Sequence, residues 1–233
     1  MEAQVAAAKT SKYASSESGD TLEMVERPEG GISFVLVDGQ RSGKPAKRIS
    51  NVVARKANSL LAEGVRDGAA ARAASDYLYT YRGGKVMATL NILSIDLSSR
   101  TCVITRNNPA PVVLAHGSVL EVLDDPVDPV GVRRSTRPSI REVPLEEGLM
   151  VVVFTDGLMH AGDRRGHRMD VLAEIQQLAE SERRDPNIWA DRLLQRALEL
   201  DDNRPVDDIS ILVAATLANS HDSARRLWAR MPL

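Results

Sequence analysis

The sequence predicts a layered α+β domain built on antiparallel sheets. Strand-like and helix-like segments come in blocks rather than in regular βαβ alternation, which disfavours a doubly wound parallel sheet. The 233 residues, 43% of them hydrophobic, supply one sizeable core or at most two small ones. No internal repeat, heptad pattern or low-complexity tract divides the chain.

Taken in order, residues 1–17 are rich in Ala, Ser, Lys and Thr without a repeating apolar face, and read as a flexible lead-in. The domain is then expected to span residues 18–217. Residues 21–26 read as a strand, Pro28-Glu29-Gly30-Gly31 as a hairpin turn and residues 32–37 as a buried strand. After a break at Gly43 and Pro45, Ile49, Val52, Val53, Ala57, Leu60 and Leu61 recur at helical spacing, with Gly64 as the stop. Residues 69–81 form a second helical stretch. Residues 86–97, 101–105, 111–115 and 119–123 are short β-prone runs with turns between them, and predict an antiparallel meander. A Pro-rich loop follows, then strands at 139–143 and 150–154, helices at 170–182 and 187–200, and a buried strand at 209–215. Residues 218–233 form a tail with some helical character, weakened by Pro232 and a high density of Arg.

Composition excludes several classes of function. Thirty basic residues against 32 acidic ones leave a formal charge of -2, so no positive field holds a nucleic-acid backbone or an anionic membrane. Two Trp, four Tyr and two Phe are too few for a base-stacking platform. No run approaches the ~20 apolar residues of a membrane span, and the acidic start is unlike a signal peptide. The single cysteine, Cys102, rules out an intrachain disulfide framework. A cytoplasmic protein without nucleic-acid or membrane partners is the expectation.

Four carboxylates stand out by position: Asp20 before the first predicted strand, Asp38 after Val35-Leu36-Val37, Asp156 after Phe154-Thr155, and Asp207 before Ile209. Singly, each has an ordinary explanation, because Asp-Gly is a common turn dipeptide. Together, acids at the ends of core strands can converge on one sheet edge, where their repulsion calls for a cation. Oxygen ligands select Mg²⁺ or Mn²⁺ over zinc. Other nucleophiles and ligands are poorly placed. Cys102 lies in an apolar run too close to Arg106 for a cysteine-phosphatase loop, and Gly43-Lys44-Pro45 fails the phosphate-loop pattern. The four histidines lack paired zinc spacing; His160, four residues after Asp156, reads as loop packing or as a proton donor. Trp189 and Trp228 read as helix packing residues.

The ordered set Ser18-Gly19-Asp20, Val37-Asp38-Gly39-Gln40-Arg41-Ser42-Gly43, Phe154-Thr155-Asp156-Gly157-Leu158 and Asp207-Asp208-Ile209-Ser210 resembles the metal-dependent PPM (PP2C-type) protein serine/threonine phosphatases, in their bacterial SpoIIE/RsbX-like branch. Asn107-Asn108-Pro109-Ala110-Pro111 and Pro129-Val130-Gly131 agree with it. The resemblance implies a PP2C-like four-layer α-β-β-α sandwich of two antiparallel sheets flanked by helices. It implies that Asp38 bridges two Mn²⁺ or Mg²⁺ ions with the Gly39 carbonyl on one of them, that Asp156 and Asp207 hold the other, and that Asp20 contributes from an outer position. A third ion is left open, and Asp208 is implied as a supporting residue. By the same analogy the substrate is a phosphoserine or phosphothreonine protein, such as an anti-sigma-factor antagonist. The sequence departs from the pattern at Arg41 and Ser42, where relatives usually have Gly and often His; Arg41 either contacts the substrate phosphate or crowds the loop. Two other readings stay open: a PPM-like binding module without turnover, and a phosphohydrolase of small molecules on the same site.

Overall fold

In residues 150–154, Met150, Val152 and Phe154 pack with one core cluster while Val151 and Val153 pack with another, and all five are buried. A strand whose two faces are both apolar must be covered on both sides. That requirement generates the layers of this molecule. The computed structural model describes residues 1–181, 184–218 and 224–231. Its strands are β1 (Glu2–Thr10), β2 (Thr21–Glu26), β3 (Ile32–Gly39), β4 (Ala88–Asp96), β5 (Thr101–Asn107), β6 (Val112–His116), β7 (Val119–Leu123), β8 (Ser139–Pro144), β9 (Leu149–Phe154) and β10 (Ile209–Leu217). Its helices are α1 (Gly43–Ala62), α2 (Asp67–Arg82), the short α3 (Asp156–Met159), α4 (Val171–Glu180) and α5 (Pro186–Leu200).

Two five-stranded sheets, ordered β1-β10-β9-β6-β7 and β2-β3-β4-β5-β8, face each other. Every strand pairing is antiparallel. Phe34, Leu36, Leu93, Ile104, Leu114, Val151, Val153 and Leu212 fill the space between the sheets. Helices α1 and α2 cover the outer face of the β3-containing sheet through Val53, Ala57, Leu61 and Leu78 against Val35, Val37, Leu90 and Ile92. Helices α4 and α5 cover the other sheet through Ile175, Trp189 and Leu193 against Val113, Val152, Ile211 and Val213. The predicted four-layer α-β-β-α sandwich is the observed fold. Among the described residues no helix is long and apolar enough to cross a membrane.

Four expectations need correction. Residues 2–10 are not a flexible lead-in: β1 pairs with β10 from Glu2↔Leu217 to Thr10↔Ile209 and buries Ala6 and Ala8, so the domain starts at Glu2 rather than Ser18. Ala has low strand propensity, and the partner strand overrides it. The four-strand meander is split, because the chain crosses between sheets at Asn108–Pro111, leaving β4–β5 in one sheet and β6–β7 in the other. Helix α1 begins at Gly43, not beyond Pro45; a proline in the first turn removes an N–H that has no intrahelical partner anyway. In the tail, residues 224–231 carry no helix and Trp228 is 85% exposed rather than packed; residues 219–223 and 232–233 lie outside the described residues.

Candidate active site

Strand pairing places the acids. Thr21 pairs with Val37 and Ile211 with Phe154, so the start of β2, the end of β3, the end of β9 and the start of β10 each lie at one end of their sheet. Asp20, Asp38, Asp156 and Asp207 sit at those four strand ends. Cross-sheet hydrogen bonds join the two pairs: Asp20 Oδ2 accepts from Ser210 Oγ at 2.6 Å and from Thr155 Oγ1 at 3.1 Å. Strand alternation puts Asp38 on the same face as Phe34 and Leu36, toward the space between the sheets.

Asp20 is fully buried. No N–H or hydroxyl reaches its Oδ1, and the Asp38 carboxyl lies against it; its carbonyl accepts from Lys9 Nζ at 2.5 Å and Lys47 Nζ at 2.6 Å. Burial raises the Asp20 carboxyl, opposed by the Ser210 hydrogen bond, by Lys9 and by a hydrogen bond with the Asp38 carboxyl. Burial likewise pushes Asp38 up to about 9, reinforced by Asp20, Asp156 and Asp207. Asp207 is raised by burial first, while the Asp208 N–H on its Oδ1, at 2.9 Å, opposes the shift. Lys9 is an exposed residue, yet its ammonium is partly desolvated beside Lys47, which lowers it to about 8. The acids therefore share one field, centred on Asp38.

Asp208 straps the site together. Its Oδ2 accepts from Gly19 N at 2.8 Å and its Oδ1 from Lys12 N at 2.9 Å, tying the segment before β2 to the start of β10. The Asp-Gly pairs turn out to be close-packing features rather than turn signals. A Cβ on Gly39 would run into the Ala46 carbonyl of α1, and one on Gly157 into the Asp208 carbonyl. Helix α1 and the β10 lead-in can approach the acids only because no side chain intervenes.

Arg41 is exposed and sits at φ +77°, the left-handed region that favours glycine. Its departure from the family pattern is thus a strained backbone residue. Among the described residues its side chain makes no hydrogen bond or ion pair. His160 Nδ1 lies 2.9 Å from Asp163 Oδ2 and 2.8 Å from Arg168 Nη2, an exposed loop cluster of its own. Cys102 is buried between the sheets, where burial pushes its thiol up to about 12. Sequence reasoning missed Lys9, inside the supposed lead-in, and Lys47, Thr155 and Ser210. Thr155 and Ser210 lie inside the acid-bearing motifs themselves, which is the signal that could have found them.

The donor set is all oxygen, suited to a hard divalent cation. A buried carboxylate oxygen without a donor, as at Asp20, costs ~1–3 kcal/mol unless something compensates it. These residues fit such an ion in chemistry. In spacing they are open: among the described residues no three Asp, Glu, His or Cys side chains form a single-ion cage as they stand.

A family model described as Stage II sporulation protein E (SpoIIE) matches residues 28–217, which include Asp38, Asp156 and Asp207 but not Asp20. The PP2C phosphatase domain of SpoIIE from Bacillus subtilis, solved with a fragment of its regulatory domain, is similar at TM-score 0.81 and 19% identity, over 94% of this chain and 64% of that one. RsbX in complex with magnesium is similar at TM-score 0.67 and 15% identity, over 91% of this chain and 94% of that one. The RsbU and RsbW domains of a Mycobacterium tuberculosis protein are similar at TM-score 0.72 and 20% identity, over 94% of this chain and 61% of that one. This chain thus spans less than two thirds of the first and third of these structures. The fold they share with it is that of the PP2C phosphatases. No protein of curated function matches the chain by sequence.

Proposed function

This chain belongs to the SpoIIE family, and from that membership we propose that it is a Mn²⁺- or Mg²⁺-dependent phosphatase of phosphoserine or phosphothreonine on a regulatory protein. The observation that carries the proposal is the convergence of Asp20, Asp156 and Asp207 on a half-buried Asp38 whose carboxyl they help to raise. Asp38 and the Gly39 carbonyl would hold a pair of ions together with Asp156 and Asp207, and Asp20 would contribute its Oδ1, which no N–H or hydroxyl reaches. When bound, such ions neutralise charge on phosphoryl oxygens and lower the pKa of a water. The chain's own part is positional. Ser210 and Thr155 fix the Asp20 carboxylate, and Asp208 fixes the backbone that presents it. Arg41, exposed on the loop after β3, is the candidate outer contact for the substrate phosphate.

The similarity to RsbX and to RsbU and RsbW domains supports a phosphoprotein of sigma-factor control as substrate, such as an anti-sigma-factor antagonist. Arg41, exposed and strained in the loop that follows Asp38, favours a second reading, a binding module that holds its partner without turnover. Hydrolysis of a phosphoserine peptide, stimulated by Mn²⁺ and abolished by chelator, tests the first reading. Peptide capture without hydrolysis at saturating Mn²⁺ would establish the second.

A further inference from the structure

Two ammonium groups from separate elements meet on one backbone oxygen. Lys9 reaches it from β1 and Lys47 from the start of α1, and both donate to the Asp20 carbonyl, at 2.5 and 2.6 Å. Among the described residues no carboxylate lies within ion-pair distance of either ammonium, although Asp20 and Asp208 act on Lys9 from further away. Like charges sharing one acceptor repel each other; those two carboxylates offset part of that repulsion, and the shared carbonyl supplies no counter-charge of its own. Each ammonium has spent one of three donors on Asp20. Lys9 is exposed and Lys47 half-buried, so the remaining donors are within reach of solvent.

We propose that Lys9 and Lys47 form an anion subsite that takes the phosphoryl group of the substrate. A phosphomonoester suits the pair because it carries about -1.5 to -2 charge at pH 7 and offers three acceptor oxygens. Asp20 joins the subsite to the acid cluster, giving its carbonyl to the lysines and its carboxylate to Ser210 and Thr155. The opposing arrangement is a counterweight, in which the lysines only offset the charge of the acids. The subsite rests on the phosphatase reading for its ligand, but not for its test.

The test uses the full chain with Mg²⁺ present, and inorganic phosphate as the probe. Lys9→Met and Lys47→Met keep the apolar stem and remove the charge; Lys9→Arg and Lys47→Arg guard against variants that fail to fold. Calorimetric phosphate binding is expected to weaken about tenfold or more in each Met variant and to recover largely in the Arg variants. KM for a phosphoserine peptide should rise in parallel, while the Mg²⁺ concentration for half-maximal effect changes less than twofold. Unchanged phosphate affinity and KM in the Met variants, or wild-type protein that binds no phosphate, would overturn the subsite. Tighter Mg²⁺ binding with unchanged phosphate affinity would overturn it in favour of the counterweight. Lysine-dependent phosphate binding without turnover would uphold the subsite and refute the phosphatase reading; turnover with lysine-independent KM would do the reverse.

Discussion

Asp38 is the residue on which the acid cluster bears most heavily, and its substitution separates charge from shape. Asp38→Asn should preserve the fold and lower metal-stimulated phosphopeptide hydrolysis by more than about tenfold, because a lost carboxylate charge weakens cation binding while side-chain volume barely changes. Activity within about twofold of wild type at saturating Mn²⁺ would remove its bridging role. The same carboxyl predicts a pH dependence. Its folded-state value of about 9 lies above the ordinary carboxyl value of 3.8, so the folded chain binds the proton more tightly than the unfolded one. Its contribution to stability is therefore full below about pH 4 and is lost as pH rises toward 9. Thermal melts in chelator should show a Tm falling between pH 6 and 9, and Asp38→Asn should flatten that slope; an equal slope in both proteins would contradict the shift. Arg41 offers a second measurement. At φ +77° a glycine avoids the Cβ clash, so Arg41→Gly should stabilise by about 1 kcal/mol. That corresponds to a Tm rise of about 2–4 °C for a chain of this size. A fall in Tm would mean that the exposed side chain makes a stabilising contact.

At the scale of the element, Asp208 behaves as a strap rather than a ligand. Asp208→Ala would leave the Lys12 and Gly19 N–H groups without their acceptor, costing ~1–3 kcal/mol for each buried donor. Hydrogen exchange should accelerate at those two amides and remain slow in β9; protection unchanged at both would show that the strap holds nothing. The acids were legible in the sequence because each abuts an apolar run whose ends the strand pattern defines. The Arg41 departure was legible too, though its backbone strain was not. Strand β1 was hidden because Ala6 and Ala8 gain their burial from β10 and α5, about 200 residues away, and not from any local period. Lys47, Thr155 and Ser210 were hidden for a similar reason: their importance lies in what they touch, and Asp20 is distant in sequence from Thr155 and Ser210. The crossing at Asn108 was invisible because alternation defines a strand's faces without assigning its sheet. Asn108 makes that crossing firm, donating to the Phe154 carbonyl at 3.2 Å and accepting from Ala110 N at 2.9 Å.

For the whole molecule, cation binding at the cluster would couple stability to cation supply. A ligand that binds only the folded form stabilises it by mass action, so Mn²⁺ should raise the Tm of the wild type by several degrees and that of Asp38→Asn by much less. Equal shifts would place the stabilising ion elsewhere. The pairing of Glu2 with Leu217 has a consequence for biosynthesis. Residues 2–10 must wait for residues 209–217, about 200 positions later, which raises the contact order and delays that pairing. A ribosome-held chain ending before Ile209 would lack both the partner of β1 and the Ser210 hydroxyl that fixes Asp20. Such a nascent chain should be cut by protease within its first ten residues and show no hydrolysis, whereas the released chain resists and works. Strand order would then postpone the completed acid site, and any hydrolysis it performs, until Ile209–Leu217 has emerged.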